Sequence, residues 1–201
     1  MANLILIRHG QSTWNLENRF TGLYDSPLTA QGESEARQGG EKIKASGIIP
    51  EQVFTSTLER AWRTAELVLA AAGLNLPLIK SDELRERDYG DLRGLNKTEA
   101  AQKFGAEQVH IWRRSYDIRP PGGESLEDVV MRVEPYYEKQ MAPSLSRGQN
   151  VLIAAHGNSL RALLIILGLY TPENIAGMEI PNGEPLVVRF QAGVAAHHDY
   201  L

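Results

Sequence analysis

The amino-acid sequence predicts an α/β fold, a three-layer sandwich in which a mainly parallel central sheet is flanked by helices. The alternation of two kinds of segment predicts it. Short apolar runs of strand-like composition alternate with longer helical patterns, and a βα repeat of this kind favours a parallel sheet covered on both faces. The chain has 201 residues, with no internal repeat and no linker long enough to separate domains, so we expect a single domain at residues 1–201.

The first half of the chain supplies three of the expected strands. The elements predicted there are a strand at 4–7, a polar loop at 11–29, a helix at 30–45, a strand at 53–56, a helix at 58–72 and a strand at 76–79. Thr29 is a suitable N-cap for the first helix, and Gly47 and Gly73 are suitable residues just beyond the helix ends. Pro77 favours an edge position for the third strand. The pair Gly39-Gly40 weakens the prediction in the middle of the first helix.

The second half begins with a charged segment at 83–91, which the pair Tyr89-Gly90 marks as irregular. The elements predicted after it are helices at 98–104 and 107–116, a break at 120–123, a helix from 126 towards 141, a strand at 151–155, a helix at 159–167 and a strand at 186–190. Ser125 and Asp128 have the spacing of an approximate capping box. Pro135 predicts a kink in the helix that follows.

Two of the predicted strands end in His-Gly. Arg8-His9-Gly10 follows the first strand, and His156-Gly157-Asn158 follows the strand at 151–155. Because ligands bind at the carboxyl ends of the strands in open α/β sheets, these residues are candidates for a shared site. Arg60 is a further candidate, because it lies in the first turn of a helix that follows a strand, where an anion is favoured. Solvated loop or surface residues are the alternative interpretation.

Composition excludes several classes of function. The net charge of −4 argues against a nucleic-acid or anionic-membrane surface, so we expect neither partner. The chain has no cysteine, hence no disulfide and no thiolate chemistry. Its start lacks the pattern of a signal peptide, and no apolar run approaches about 18 residues, so we expect a cytoplasmic protein.

Two histidines among arginines allow three kinds of chemistry. Metal binding is disfavoured because arginine beside both candidate ligands repels a cation, so no metal site is predicted. Passive anion binding needs the arginines alone. Nucleophilic catalysis at phosphorus uses the whole set: neighbouring arginines keep a histidine neutral and nucleophilic, and they neutralise the oxygens of a transferring phosphoryl group.

The sequence resembles the histidine phosphatase superfamily and, within it, the cofactor-dependent phosphoglycerate mutases. Residues 6–15 resemble the superfamily signature, whereas residues 94–97 and 112–117 resemble segments more specific to the mutases. Further matching segments lie at 18–22, 55–61, 86–90 and 154–161. The resemblance spans almost the whole chain and implies a single catalytic domain with a phosphoglycerate mutase-like fold. It fails in a divergent tail at about 191–201.

The resemblance implies a role for each candidate residue. His9 would be the nucleophile, Glu86 the general acid and base, and Arg8, Arg60 and His156 would hold the transferring phosphate. The full set implied to bind substrate is Arg8, His9, Gly10, Gln11, Ser12, Thr13, Trp14, Asn15, Thr21, Gly22, Arg60, Glu86, Arg87, Asp88, Tyr89, Lys97, Arg113, Arg114, Gly157 and Asn158. Asp88 is a departure, since many mutases carry a histidine there.

The implied reaction interconverts 3-phosphoglycerate and 2-phosphoglycerate through a phosphohistidine, with 2,3-bisphosphoglycerate as priming donor and no metal. Its partner would be a small phosphorylated molecule, and the resemblance implies a homodimer or homotetramer. Two alternatives stay open: a broad-specificity histidine phosphatase and a non-catalytic phospholigand-binding module. Lys97 and the pair Arg113-Arg114 favour a small, highly anionic substrate over a promiscuous site.

Overall fold

The computed structural model describes residues 2–191 and 193–201 and contains a six-stranded sheet flanked by helices. The strands are β1 Ala2–Arg8, β2 Gln52–Ser56, β3 Leu78–Ser81, β4 Val151–Ala155, β5 Pro185–Gln191 and β6 Val194–Tyr200. The α-helices are α1 Thr13–Leu16, α2 Ala30–Ser46, α3 Glu59–Ala72, α4 Lys97–Phe104, α5 Ala106–Arg114, α6 Leu126–Tyr136, α7 Ala142–Ser146 and α8 Gly157–Ile166. Short 3-10 turns lie at Asp82–Leu84, Gly90–Leu92 and Ile175–Gly177.

The strand order is β3-β2-β4-β1-β5-β6, and the first four strands run parallel to one another. The last two pair antiparallel, which confirms a mainly parallel sheet. β3 is an edge strand as expected, but it begins two residues later than predicted, just after Pro77. The divergent tail forms β6, the other edge, which the sequence analysis did not predict. The prediction that residues 1–201 form a single domain stays a prediction.

Alternate residues of β1 face the two helical layers. Leu4 and Leu6 pack in the cluster that contains residues of α6 and α8, whereas Ile5 and Ile7 pack in the cluster built with α2 and α3. All four are fully buried. Such burial on both faces is what a central parallel strand requires, and it explains why the sequence of β1 is an unbroken apolar run. The three-layer arrangement is thereby confirmed.

The glycine pair in α2 permits close packing rather than breaking the helix. A Cβ atom at Gly40 would lie 2.4 Å from the carbonyl oxygen of Val68 in α3, and one at Gly39 would lie 2.4 Å from the carbonyl oxygen of Gly183. The two helices are in contact along this face. The cost in helix propensity is thus offset by the close approach of backbone that only glycine allows.

The helix that begins at Leu126 confirms its predicted cap and its irregularity at proline. Ser125 Oγ accepts a hydrogen bond from Asp128 N–H at 3.1 Å, and Ser125 N–H donates to Asp128 Oδ2 at 2.8 Å. Pro135 lies in the last turn of α6, and a π-helical turn at Tyr137–Met141 follows before α7. Proline lacks the N–H that continues the regular ladder, which accounts for the change in helical register.

A third apolar cluster covers the carboxyl edge of the sheet. Its buried members are Phe20, Leu92, Ala100 of α4 and Val109 of α5. This small cap places the segments that carry Lys97 and Arg113 above the ends of β1 and β4. Because β1 and β4 are neighbouring parallel strands with Arg8 opposite Ala155, His9 and His156 leave the sheet side by side.

Candidate active site

His9 lies directly after β1 with its ring orientation fixed. Its N–H donates to the carbonyl oxygen of Ala155 at 2.9 Å, and Asn182 Nδ2 donates to its carbonyl oxygen at 2.6 Å. The ring nitrogen Nδ1 is 2.7 Å from the carbonyl oxygen of Gly10. A carbonyl oxygen can only accept, so Nδ1 carries the hydrogen and Nε2 carries the lone pair. The free lone pair of His9 is therefore on Nε2.

His156 lies beside His9 at the end of β4. The two ring centroids are 5.0 Å apart, and the rings meet edge to face. Ser56, the last residue of β2, places Oγ 2.7 Å from Nε2 of His156, and the same hydroxyl accepts a hydrogen bond from Leu58 N–H at 3.2 Å. Ser56 of β2 thus fixes the ring at the end of the neighbouring strand β4.

Both imidazoles are held in their neutral form. Burial, followed by the positive charges of Arg60 and Arg8, holds the pKa of His9 well below its ordinary value. Burial and Arg60 likewise hold the pKa of His156 well below its ordinary value, with smaller contributions from His9 and Arg8. A neutral imidazole among guanidinium groups has a free lone pair at neutral pH, as the sequence analysis anticipated.

Arg60 is fully buried in the first turn of α3 and is anchored by backbone carbonyls. Its Nη1 donates to the carbonyl oxygen of Tyr24 at 2.7 Å and its Nη2 to that of Gly22 at 2.8 Å. Burial lowers the pKa of Arg60 to about 10, while Glu86 and Asp25 act in the opposite direction. The group remains a cation at neutral pH, held in one orientation beside His9.

Three buried polar atoms around His9 have no hydrogen-bond partner within residues 2–191 and 193–201: Arg8 Nε, Arg60 Nε and His156 Nδ1. Buried polar atoms are normally paired, and leaving one unpaired costs roughly 1–3 kcal/mol. A phosphoryl group has three oxygens that can accept from the two guanidinium Nε atoms and, when Ser56 Oγ donates to Nε2 and the ring hydrogen is on Nδ1, from His156. The donor set therefore fits a phosphoryl group placed next to Nε2 of His9.

Glu86 brings a carboxylate to the same space. Its Oε1 accepts hydrogen bonds from Arg87 N–H at 2.8 Å, from Asn158 Nδ2 at 3.0 Å and from Asn158 N–H at 3.2 Å. Burial alone would raise the pKa of Glu86, but these bonds and the positive charges of Arg60 and Arg8 lower it. Oε2 lies 3.8 Å from the position of a Cβ atom built on Gly157, as does Arg8 Nε. An ionised oxygen thus faces the space in front of Gly157 and can accept a proton there.

An outer cleft of about 150 Å³ adjoins the space around His9. Its cationic lining comes from Arg8, Lys97, Arg113, Arg114 and Arg161. Burial lowers the pKa of Lys97 and of Arg161 from their ordinary values. Although the chain has a net charge of −4, this cleft concentrates positive charge, so it suits a small molecule with more than one anionic group.

A family model described as Histidine phosphatase superfamily (branch 1) matches residues 4–199 of this chain. The chain belongs to this superfamily. The match covers both His-Gly segments and all the cationic residues of the cleft, so the family confirms the resemblance seen in the sequence.

Relatives within the histidine phosphatase superfamily are similar over nearly the whole chain. The protein named 2,3-bisphosphoglycerate-dependent phosphoglycerate mutase from Bradyrhizobium sp. is 54% identical over 190 residues, covering 94% of this chain and 92% of the relative. A protein of the same name from Azorhizobium caulinodans is 55% identical over the same shares of the two chains. The solved structure of a mycobacterial glucosyl-3-phosphoglycerate phosphatase matches with a TM-score of 0.84 and 24% identity, covering 98% of this chain and 96% of that one. At 24% identity this match shows that the two chains share a fold, and no more than that.

Most residues predicted to form the site are brought together. Those that line the two parts of the cleft are Arg8, His9, Asn15, Thr21, Gly22, Arg60, Glu86, Tyr89, Lys97, Arg113, Arg114, Gly157 and Asn158. Arg87 lies beneath them, fully buried, with Nη2 donating to Tyr89 Oη at 3.2 Å and to the carbonyl oxygen of Arg113 at 3.1 Å. It supports the lining residues from below.

Besides the buried residues Arg87 and His156, six predicted residues do not line the cleft: Gly10, Gln11, Ser12, Thr13, Trp14 and Asp88. Ser12 caps α1, Trp14 stacks on Tyr24 at 3.9 Å, and Asp88 Oδ1 accepts a hydrogen bond from Gly90 N–H. Thr13 Oγ1 bonds Ser26, and Gln11 N–H donates to Glu35. Gly10 packs against Gly32 so closely that a Cβ atom would be 2.0 Å from its carbonyl oxygen. Residues 10–14 thus shape the loop that follows His9, whereas Asp88 belongs to the turn at Gly90.

The sequence analysis missed four lining residues: Arg19, Phe20, Arg161 and Glu179. A signal for Arg161 was available, because it lies one helical turn after Gly157 on α8 and so shares its face. Glu179 had none, since it lies in an irregular segment far from either His-Gly motif.

Proposed function

We propose that this chain is a cofactor-dependent phosphoglycerate mutase that interconverts 3-phosphoglycerate and 2-phosphoglycerate. The observation that carries the proposal is the similarity over 94% of the chain to relatives named as such mutases. The site geometry supports it, because a neutral nucleophilic histidine, an ionised carboxylate and a cationic outer cleft adjoin one another. The reaction makes the enzyme an isomerase of glycolysis and gluconeogenesis.

His9 is proposed as the carrier of the phosphoryl group. Its Nε2 lone pair attacks phosphorus, an N–P bond forms, and the bond from phosphorus to the glycerate oxygen breaks. Arg8 and Arg60 neutralise the phosphoryl oxygens during this transfer, and His156 contacts the same group through Nδ1. Neutral His9 needs no base to remove a proton, since Nδ1 already holds the only ring hydrogen.

Glu86 is proposed as the general acid and base. When the phosphoryl group moves to His9, the leaving oxygen takes from Glu86 the proton that this carboxylate gained in the preceding transfer away from His9. In the reverse transfer, ionised Glu86 accepts the proton of a glycerate hydroxyl through Oε2, and that oxygen attacks phosphorus while the N–P electron pair returns to Nε2. The low pKa of Glu86 leaves the group ionised before substrate arrives.

The outer cleft is proposed to hold the rest of the substrate. Lys97, Arg113 and Arg114 would bind its carboxylate or second phosphate, with Tyr89 and Asn158 completing the lining. Priming of His9 needs a phosphoryl donor, and 2,3-bisphosphoglycerate would supply it while fitting the same two anionic subsites. The donors unpaired around His9 support this fit. We further propose a cytoplasmic enzyme that assembles as a homodimer or homotetramer.

Two absences apply to the described residues alone. No helix in residues 2–191 and 193–201 has the length and apolar character to cross a bilayer. Nor does that part of the chain contain a cluster of three or more histidine, aspartate or glutamate side chains arranged to hold a metal ion.

Phosphorus NMR of the products tests the proposal. The enzyme is incubated in chelator with 3-phosphoglycerate, with and without a trace of 2,3-bisphosphoglycerate. We expect 2-phosphoglycerate to form, stimulated by the trace donor, and we expect His9→Gln to abolish the reaction while His110→Gln, at an exposed position, does not. Inorganic phosphate as the main product would instead assign the chain as a phosphatase.

A further inference from the structure

Glu179 brings a second carboxylate, besides that of Glu86, into the outer cleft, whose other charged lining residues are cations. Arg114 Nη2 donates to its Oε1 at 2.5 Å, and Arg161 Nη2 lies 3.8 Å from its Oε2. These contacts are the ones that a carboxylate or phosphate group of a ligand would make with the same two arginines. Arg114 and Arg161 lower the pKa of Glu179 despite the opposing effect of partial burial. The cleft thus contains its own anion.

The two arginines do not depend on Glu179 for their positions. Arg114 Nη1 donates to the carbonyl oxygen of Ala176 at 3.3 Å. Arg161 Nε donates to the carbonyl oxygen of Met178 at 2.9 Å, and its side chain is only 13% exposed. Both guanidinium groups would therefore keep their orientation if the carboxylate moved away.

The backbone of Glu179 is fixed, whereas its side chain is 65% exposed. Tyr200 Oη, from strand β6, donates to the carbonyl oxygen of Glu179 at 3.0 Å, and the next residue, Ile180, accepts a hydrogen bond from Arg8 Nη1 at 3.0 Å. Rotation about the side-chain bonds of Glu179 alone is enough to remove its carboxylate from the cleft.

We propose that Glu179 is a resident counter-ion of Arg114 and Arg161 that the distal anionic group of a ligand must displace, which makes it a specificity-determining residue. The identity of that ligand rests on the proposed function. An exposed ion pair is weak, so a ligand already anchored by its phosphate at Arg8 and Arg60 displaces the carboxylate easily. A single inorganic anion at the outer cleft has no such anchor, so Glu179 excludes it.

Sulfate binding measures the effect without requiring catalysis. The variant is Glu179→Gln, and the matched control is Glu173→Gln, which removes one negative charge from an exposed position of the same segment outside the cleft. Sulfate is titrated while the side-chain Nε–H NMR signals of Arg114 and Arg161 are followed. We expect sulfate to bind these arginines about three- to tenfold more tightly in Glu179→Gln than in the control.

Kinetics give a second measurement. With 3-phosphoglycerate we expect a lower KM and an unchanged kcat in Glu179→Gln, together with stronger inhibition by sulfate. Sulfate affinity at Arg114 and Arg161 that is equal to or weaker than that of the control would overturn the counter-ion proposal. Failure of the wild-type enzyme to form 2-phosphoglycerate would overturn the proposed function alone, because the sulfate titration stands without it.

Discussion

The rings of His9 and His156 meet edge to face at 60°, with centroids 5.0 Å apart, at the ends of two adjacent parallel strands. Neither ring accepts or donates a hydrogen bond to the other. Each is fixed by a separate partner, the carbonyl oxygen of Gly10 for His9 and the hydroxyl of Ser56 for His156. The pair therefore offers two neutral imidazoles that can contact one phosphoryl group without competing for the same hydrogen.

Replacing Ser56 by alanine tests the support of His156. The change leaves Nε2 of a fully buried ring without its partner, so the ring loses its fixed orientation next to the phosphoryl group. We expect kcat to fall roughly tenfold with little change in KM, because the contact matters most in the transition state. The neighbouring hydroxyl of Thr55 has no partner in the described part of the chain, so Thr55→Val serves as the control. Equal kcat values for the two variants would refute a positioning role for Ser56.

Because His9 is buried as a neutral imidazole, the stability of the protein should depend on pH. The folded-state pKa of His9 lies well below 6.5, the ordinary value, so below pH 6.5 the unfolded chain binds a proton that the folded chain does not. Stability therefore falls as the pH drops through 6.5 towards the folded pKa, and it is retained above 6.5. By pH 5.5 the loss from one such histidine is on the order of 1 kcal/mol.

Urea unfolding of the phosphate-free protein at pH 7.5 and pH 5.5 measures this loss. The difference in unfolding free energy between the two pH values should shrink by on the order of 1 kcal/mol in His9→Gln. The exposed His110→Gln variant should keep the wild-type difference. A wild-type difference that persists in His9→Gln would mean that folding does not lower the pKa of this imidazole.

Gly157→Ala should lower the activity of the protein without lowering its stability. A Cβ atom there would lie 3.7 Å or more from Arg161, Arg8 and Glu86, so the protein has room for it, and its φ is not in the left-handed region. The methyl group would, however, occupy space 3.8 Å from both Arg8 Nε and Glu86 Oε2, the groups proposed to act on the phosphoryl group and on the substrate proton. We expect at least a tenfold loss of kcat/KM with unchanged or slightly higher thermal stability. Gly177→Ala, with open space around it, is the control, and a variant with wild-type kcat/KM would place the phosphoryl group elsewhere.

Local sequence signals predicted most of the sheet and the helix caps. Thr29, Gly47 and Gly73 act at the helix ends where they were expected, because caps depend on a few neighbouring residues. Helix α8 begins two residues earlier than predicted, at Gly157. Strand β6 was missed because Val194–Tyr200 has little apolar alternation, and its strand conformation depends on pairing with β5.

The cationic residues near the two histidines could be predicted from the sequence, whereas their contacts with a carboxylate in the cleft could not. Arg8, Arg60 and Arg113 lie in segments with recognisable patterns. The contacts of Arg114 and Arg161 with Glu179 join segments distant in sequence, and no local periodicity encodes them. Long-range contacts between polar side chains of this kind depend on the final packing of the cap over the sheet.

Gly40→Ala tests the packing that supports the site. In an isolated helix this change would add stability of up to about 1 kcal/mol, because alanine has the higher helix propensity. Here the new Cβ atom would lie 2.4 Å from the carbonyl oxygen of Val68 and 2.8 Å from the Cβ atom of Ala71, so α2 and α3 must move apart. We expect a net loss of about 1–3 kcal/mol in the free energy of unfolding, measured by urea denaturation.

Glu41→Ala, at the adjacent exposed position, should leave that energy within about 0.5 kcal/mol of the wild-type value. A Gly40→Ala protein as stable as the control would mean that the two helices are not held at this distance. Because α3 carries Arg60, the same displacement should also weaken binding of inorganic phosphate, which calorimetry of the two variants can measure.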